Sequence, residues 1–231
     1  MLLYYDMHSF KKLGNLALDI FFPPICLNCK NYLEDSERPN LICDACFKSI
    51  EINKIVFRPQ GNFILAAAAS YENPALRNLI HYFKYEGFLQ AQKPLGEILI
   101  SYINNLDIDF KNYLIIPVPL YPSKLRKRGF NQSETLGRII SNHFQLSFES
   151  NIMERVENTK PQIEMKNHDE RKRNLKGAFT VRRENNSKIE KHQIILIDDV
   201  YTSGATMNEA VKTLKKAGAG QVIALTVARA G

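Results

Sequence analysis
Apolar and polar positions along the chain predict short strands alternating with amphipathic helices. The clearest apolar block is Ile194, Ile195, Leu196 and Ile197. Four such residues with no alternation read as a parallel strand covered on both faces. Beyond it, Met207, Ala210, Val211 and Leu214 recur at helical spacing, and Gly218 follows as a helix stop. Similar patterning predicts an alanine-rich strand at 62–71 and a helix at 75–85 whose inner face is Leu76, Leu79, Ile80 and Phe83. A helix at 92–104 and a buried strand at 114–119 follow, and the two prolines of that strand place its far end outside the ladder. The next helix carries Leu136, Ile139 and Ile140; strands are predicted at 151–156, 178–182 and 221–228. This alternation predicts an α/β fold, a parallel sheet flanked by helices. The stretch 157–191 is the most charge-dense, contains Pro161 and reads as a long mobile loop closed by the strand at 178–182. Long loops in compact domains usually serve as lids or binding loops.

The first 58 residues follow a different pattern. Phe10, Leu13, Leu16, Ala17 and Ile20 fall on one helical face, and Phe21, Phe22, Pro23 and Pro24 end that helix. The narrow face suits packing on the segment that follows or docking a partner. Cys26 and Cys29 are followed, after the 13 residues 30–42, by Cys43 and Cys46. Two such knuckles can bring four thiolates to one tetrahedral centre, the usual arrangement for structural zinc. Four buried free thiols are the plainer alternative. A short hairpin fits between the knuckles at 32–41. So small a segment has little core, and a bound ion would supply much of its folding energy. The expected division is 1–58, an N-terminal helix with a four-cysteine zinc-ribbon-like module, and 59–231, the α/β domain. The latter is expected to fold at least partly without the metal.

Composition narrows the setting. A chain of 231 residues with 45% hydrophobic content is ordinary for one large or two modest globular domains. No apolar run reaches membrane-spanning length, and the N-terminus lacks the basic leader, apolar core and small-residue cleavage site of a secretory signal. Together with tight cysteine pairs, this predicts a cytoplasmic protein. The net charge of +7 points weakly to anionic partners.

Candidate chemistry gathers after the 194–197 strand. Asp198 and Asp199 stand where that strand is expected to leave the sheet, the side on which open α/β sheets place their ligands. Thr202, Ser203, Gly204, Ala205 and Thr206 form a hydroxyl-rich turn opening the next helix. Its N–H groups and dipole make an anion site, and Gly204 lets the backbone approach closely. The two carboxylates can accept hydrogen bonds from vicinal ribose hydroxyls, directly or through a hydrated Mg²⁺. A buried strand with an acidic end and a capped helix is the bland reading. The run resembles the phosphoribosyl-pyrophosphate (PRPP) signature of type I phosphoribosyltransferases: four apolar residues, two acids, then a Thr/Ser-Gly-x-Thr turn. Upstream, Lys124 to Gln132, with Arg126, Lys127 and Arg128 before Gly129, reads as a basic loop. It is either solvated or a cationic rim near pyrophosphate or a nucleic-acid backbone.

Over residues 21–228 the chain resembles the ComF family (the ComFC or GntX type), competence and DNA-uptake proteins that join a zinc knuckle to a phosphoribosyltransferase domain. The resemblance is carried by Phe22-Pro23-Pro24-x-Cys26-x-x-Cys29, Pro117-Val118-Pro119-Leu120 and Leu125-Arg126-x-Arg128-Gly129-Phe130-Asn131-Gln132. Pro161-Gln162, Arg171-x-x-Asn174-x-x-Gly177-Ala178-Phe179 and the PRPP run complete it. It implies zinc on Cys26, Cys29, Cys43 and Cys46, ribose or Mg²⁺ contacts at Asp198 and Asp199, and 5′-phosphate contacts along Thr202, Ser203, Gly204, Ala205 and Thr206. Lys84 and Tyr85 take the pyrophosphate-loop position, and Arg171 and Asn174 fall where such enzymes carry a flexible catalytic loop. The candidate catalytic residues are therefore Asp198, Asp199, Lys84 and Arg171.

Three functional readings stay open. One is a PRPP-binding phosphoribosyltransferase with an unnamed acceptor, set in DNA uptake. Another is a non-catalytic module that binds PRPP and single-stranded DNA beside a partner helicase, with Phe130 as a stacking platform. The third is a zinc-stabilised regulatory module that binds only protein.

Overall fold
The computed structural model describes Asp19 and residues 23–59, 61–157 and 177–231. In chain order its elements are helix α1 (Asp44–Lys48), strand β1 (Ile64–Ser70), helices α2 (Pro74–Tyr85) and α3 (Gln92–Asn104), strand β2 (Tyr113–Pro117), and helices α4 (Pro122–Arg128) and α5 (Gln132–Phe144). Strands β3 (Ser147–Phe148), β4 (Met153–Arg155) and β5 (Phe179–Val181) follow, then helix α6 (Asn186–Ile189), strand β6 (Gln193–Tyr201), helix α7 (Ala205–Lys216) and strand β7 (Val222–Arg229). The central sheet runs β1-β7-β6-β2-β3 with every neighbouring pair parallel. Strands β4 and β5 form a separate antiparallel pair. This is the helix-flanked parallel sheet that the alternating pattern predicts.

Side chains alternate across the sheet and divide the core into two layers. Ala66, Ala68, Ile115, Ile195, Ile197 and Leu225 meet α2, α3 and α5 on one face. Leu65, Ala67, Ile116, Ile194, Leu196 and Ala224 meet α7 and the β4–β5 pair on the other. A strand covered on both sides needs apolar residues at every position, which explains the unbroken run in β6. Helix α5 sits unusually close to the sheet. A Cβ on its Gly137 would lie 2.8 Å from Phe148 and 3.2 Å from Ile197, so the helix is pressed against β6 just before the acidic pair.

Several local expectations change. Strand β6 does not stop at Ile197: it runs through Asp198 and Asp199 to Tyr201, because β7 continues to pair with it at Asp198–Thr226 and Tyr201–Arg229. On its other side the ladder ends at Ile197–Pro117, since proline cannot extend it. The acids are thus paired along one edge and open along the other. The expected basic loop at 124–132 is largely helical, as α4. Pro122 starts that helix and Gly129, at φ +83°, stops it. Ile25 and Tyr32 form an isolated antiparallel bridge across the first cysteine pair, and Arg38–Asn40 a 3₁₀ turn before the second, in place of a hairpin at 32–41. The expected N-terminal helix through Phe10 and Ile20, and the 158–176 part of the expected loop, lie outside the described residues.

The cysteine segment is joined to the sheet through packing and pairing. Cys26, Leu27, Leu33, Ile42 and Ile50 belong to the same apolar cluster as Leu76 and Leu79 of α2. Ile52 and Phe57 bridge antiparallel to Ala69 and Leu65 along the outer edge of β1. Among the described residues no helix is long and apolar enough to cross a membrane.

Candidate functional site
The acidic pair stands at the carboxyl end of the central strand. Asp199 is buried and forms an ion pair with Lys84, Nζ to Oδ1 at 2.8 Å, supplied by the last turn of α2. Burial opposes the Lys84 charge, but the adjacent Asp199 and Asp198 outweigh it and raise its pKa. Asp198 is held by neutral donors: Ser133 Oγ donates to its Oδ1 at 2.9 Å, and the Asp199 N–H donates to the same oxygen at 2.9 Å. Burial and the neighbouring Asp199 charge push its pKa up to about 6, against the pull of Lys84 and these two hydrogen bonds. The two carboxylates therefore differ. Asp199 is matched by a cation, while Asp198 is poised to change charge near neutrality.

Beyond β6 the turn leads straight into α7. Gly204 is the N-cap at φ +73°, a left-handed conformation that favours glycine, and the Ser203 hydroxyl accepts from the Ala205 N–H at 3.5 Å. A Cβ there would collide with the Tyr201 ring, 2.7 Å from its Cζ, so conformation and space both require glycine. A pocket is lined by Asp198, Tyr201, Thr202, Gly204, Ala205 and Thr206, among others. It joins one carboxylate to a helix N-terminus, and such an end attracts an anion through its N–H groups and dipole. Strand, acids, turn and helix thus follow one another directly, with Asp198 and the turn around one pocket.

Other predicted residues are placed less tightly. Tyr85 is exposed, with the Arg128 guanidinium 5.4 Å above its ring. Arg128 also donates from Nη1 to Gln132 at 2.7 Å. Helix α4 therefore brings its cations beside the Lys84 end of α2, with Arg126 and Lys127 exposed. Phe130 is half-buried, its ring 5.2 Å from Phe83, and packs on the core; Tyr85 is the more exposed aromatic at this edge. Arg171 and Asn174, and the Arg171–Arg173 arm of the expected cationic rim, lie outside the described residues. Sequence reasoning missed Ser133, which is 65 residues from its partner. An Asn-Gln-Ser step after Gly129 signals a helix start, and Asn131 does accept from the Ser133 N–H at 3.1 Å, but nothing local reveals the carboxylate it meets. A second missed residue is the cation Arg155, whose guanidinium lies 5.4 Å over the Phe179 ring. Burial lowers its pKa and the Asp198 charge raises it, with burial prevailing.

The four cysteines form a second centre. All four sulfurs lie within 4.8 Å of one another, and Cys29 and Cys43 Sγ are 3.7 Å apart. Sulfurs at the corners of a tetrahedron with bonds of about 2.3 Å to a central ion stand about 3.8 Å apart, so the cluster can hold a metal ion. The Cys43 N–H donates to Cys26 Sγ at 3.4 Å, and Asn28 Nδ2 donates to Cys46 Sγ at 3.2 Å. Burial opposes ionisation of Cys26, but backbone N–H groups of Cys43, Cys29 and Asn28 prevail and bring its pKa to about 7. Donors aimed at Cys26 Sγ favour the thiolate that a metal requires there. Asn28 is itself oriented by Asn78 of α2, whose Nδ2 donates to Asn28 Oδ1 at 3.1 Å.

With this geometry in view, comparison with known proteins is informative. The family described as "Phosphoribosyl transferase domain" matches residues 132–231. Competence protein F of Haemophilus influenzae is 29% identical, across 91% of this chain and 99% of the relative. Competence protein ComFC of Streptococcus pneumoniae is 26% identical, across 89% and 87%. DNA utilization protein YhgH of Salmonella typhimurium is 26% identical, across 80% and 76%. Among solved structures, adenine phosphoribosyl transferase from Trypanosoma brucei in complex with AMP, pyrophosphate and ribose-5-phosphate is similar at a TM-score of 0.41 and 12% identity, covering 76% of this chain and 86% of that one.

Proposed function
We propose that this chain is a ComF-type protein that binds PRPP at the 198–206 turn and acts in DNA uptake. One observation carries the binding reading: half-buried Asp198 and buried Asp199 lead directly into a helix start capped by Gly204, and Asp198 lines one pocket with that turn. The 5′-phosphate would lie on the first N–H groups of α7 and the hydroxyls of Thr202, Ser203 and Thr206. The ribose hydroxyls would donate to Asp198 and Asp199. Lys84, already between α2 and the acids, would turn toward the pyrophosphate, with Arg126, Arg128 and Arg171 as further cations. Mg²⁺ enters with PRPP as part of the substrate, where it offsets pyrophosphate charge.

Group transfer at such a site breaks the C1–O bond to pyrophosphate through an oxocarbenium-like state. Pyrophosphate leaves with the bonding pair, and an acceptor nucleophile bonds to C1. The protein's part is to hold the ribose by its hydroxyls and phosphate while cations meet the charge growing on the leaving group. Calorimetry with PRPP tests the reading. Binding is expected to require Mg²⁺ and to be lost when Asp198→Asn and Asp199→Asn are combined; unchanged affinity in the double variant would overturn the assignment. A pyrophosphate-release screen over nucleobases then asks whether an acceptor is used.

A second reading is favoured by the exposed Tyr85–Arg128 stack beside Arg126 and Lys127. This edge combines an aromatic face with cations, as sequence-tolerant single-strand binders do, and would suit single-stranded DNA presented by a helicase. Zinc is the proposed occupant of the cysteine centre, on Cys26, Cys29, Cys43 and Cys46, in a structural role. The division into 1–58 and 59–231 belongs to the same proposal.

A further inference from the structure
We propose that Ser133 is a positioning residue that turns the Asp198 carboxylate toward the ribose hydroxyls of a phosphorylated sugar. The inference rests on the PRPP reading of the 198–206 pocket and adds a residue that the motif does not contain. Three observations support it. Ser133 is 3% exposed, and its hydroxyl donates to Asp198 Oδ1 at 2.9 Å. The Asp199 N–H donates to that same oxygen at 2.9 Å, so two protein donors converge on one side of the carboxylate. Asp198 nevertheless lines the pocket. A carboxylate offers about four lone-pair sites over its two oxygens, so fixing Oδ1 inward presents the remaining capacity to a ligand in one orientation.

Both partners stand on rigid supports. Asp198 is registered against Thr226 of β7. Ser133 lies in the first turn of α5, which Gly137 presses to within van der Waals contact of Ile197. Asn131 fixes that helix start by accepting from the Ser133 N–H at 3.1 Å and donating to the Val118 carbonyl, just past β2, at 3.1 Å. The hydroxyl therefore bridges a helix start and a strand end that cannot readily separate. Asp199 receives its restraint from Lys84 instead, so the two carboxylates are held by different elements, one by neutral donors and the other by a cation.

The test separates ribose recognition from phosphate recognition. Wild type, Ser133→Ala and Ser133→Thr are titrated by calorimetry with ribose 5-phosphate and with inorganic phosphate. The Ala variant is expected to lose about tenfold in ribose 5-phosphate affinity, the scale of one hydrogen bond to a charged group. Its phosphate affinity should stay within about twofold, and Thr should restore ribose 5-phosphate binding. Parallel loss of both ligands would mean a merely structural role and overturn the proposal, as would no loss of either. Should the Ala variant fail to fold, Ser133→Cys, a weaker donor of similar size, carries the same comparison. Failure of the wild type to bind ribose 5-phosphate or PRPP would instead overturn the underlying reading of the pocket.

Discussion

The acidic turn and the cysteine centre hold their polar groups by opposite means. At the turn, the backbone does the holding: β6 is paired with β7 to its last residue, Gly204 sets the helix start, and each carboxylate has a protein partner before any ligand arrives. At the cysteine centre the supporting elements are the five-residue helix α1, a 3₁₀ turn and a few side-chain bonds, and four sulfurs crowd within 4.8 Å. Such sulfurs repel one another once ionised unless a cation sits among them. The turn holds its carboxylates without a ligand, whereas an ion at the cysteine centre would supply cohesion that its short elements lack.

Removing the metal should break this comparison most visibly. One zinc per chain is expected by metal analysis. Chelation or Cys43→Ser should release residues 26–50, where structural zinc contributes several kcal/mol to folding. Amide exchange in that segment should accelerate by at least about 100-fold, while the amides of β6 and β7 change far less. A purified protein without zinc whose Cys43→Ser variant melts unchanged would refute the metal assignment. Equal loss of protection throughout would refute the division at 58/59, and the shared cluster of Cys26 and Leu27 with Leu76 and Leu79 makes that a real contest.

The acidic turn should respond to pH instead. Asp198 has a folded pKa of about 6 against an ordinary value of 3.8. A carboxyl whose folded pKa is raised binds its proton more tightly in the folded state, so stability falls as pH rises from about 4 to about 7. The full difference corresponds to roughly 3 kcal/mol. Asp198→Asn keeps an acceptor for Ser133 and removes the charge. It should melt higher than wild type at pH 8 and nearly equal to it at pH 4. A difference that does not vary with pH would show that Asp198 is not the buried titrating group.

How much of this could be read from the residues follows the same contrast. The 194–206 run is contiguous, so its buried strand, acids, turn and helix were legible together. The length of β6 was not, because the acids read as a strand end while β7 keeps them in the ladder. Helix α4 was hidden by its charge: Arg126, Lys127 and Arg128 suggest a solvated loop, yet Pro122 and Gly129 are also sound helix-boundary residues. Cysteine spacing predicted that the four thiols cluster, but the 3₁₀ turn between the knuckles had no periodic signal. Contacts between distant segments, Ser133 with Asp198 and Asn28 with Asn78, leave no local trace at all.

The smallest expected effect lies where the two regions meet. Helix α2 carries Asn78, which orients Asn28 toward Cys46, and six residues later Lys84, which pairs with Asp199. Asn78→Leu keeps the size of the side chain but removes the donor to Asn28 Oδ1. Asn28 could then rotate away from the Cys46 sulfur. Losing one such bond costs about 1 kcal/mol, and outer-shell partners of metal ligands typically change affinity by 10- to 100-fold. Zinc should therefore pass to a competing chelator at roughly tenfold lower concentration than in wild type, with the melting temperature of the loaded protein only slightly lowered. Asn28→Ala should reproduce the effect, and the double variant should add nothing, since both changes remove the same link. Additive losses would show that Asn78 acts on α2 packing rather than through Asn28. The same competition repeated with saturating PRPP asks whether the Lys84 end of the helix is felt at the other: retention unchanged by PRPP would mean that the two regions share a helix and a core but respond to their ligands independently.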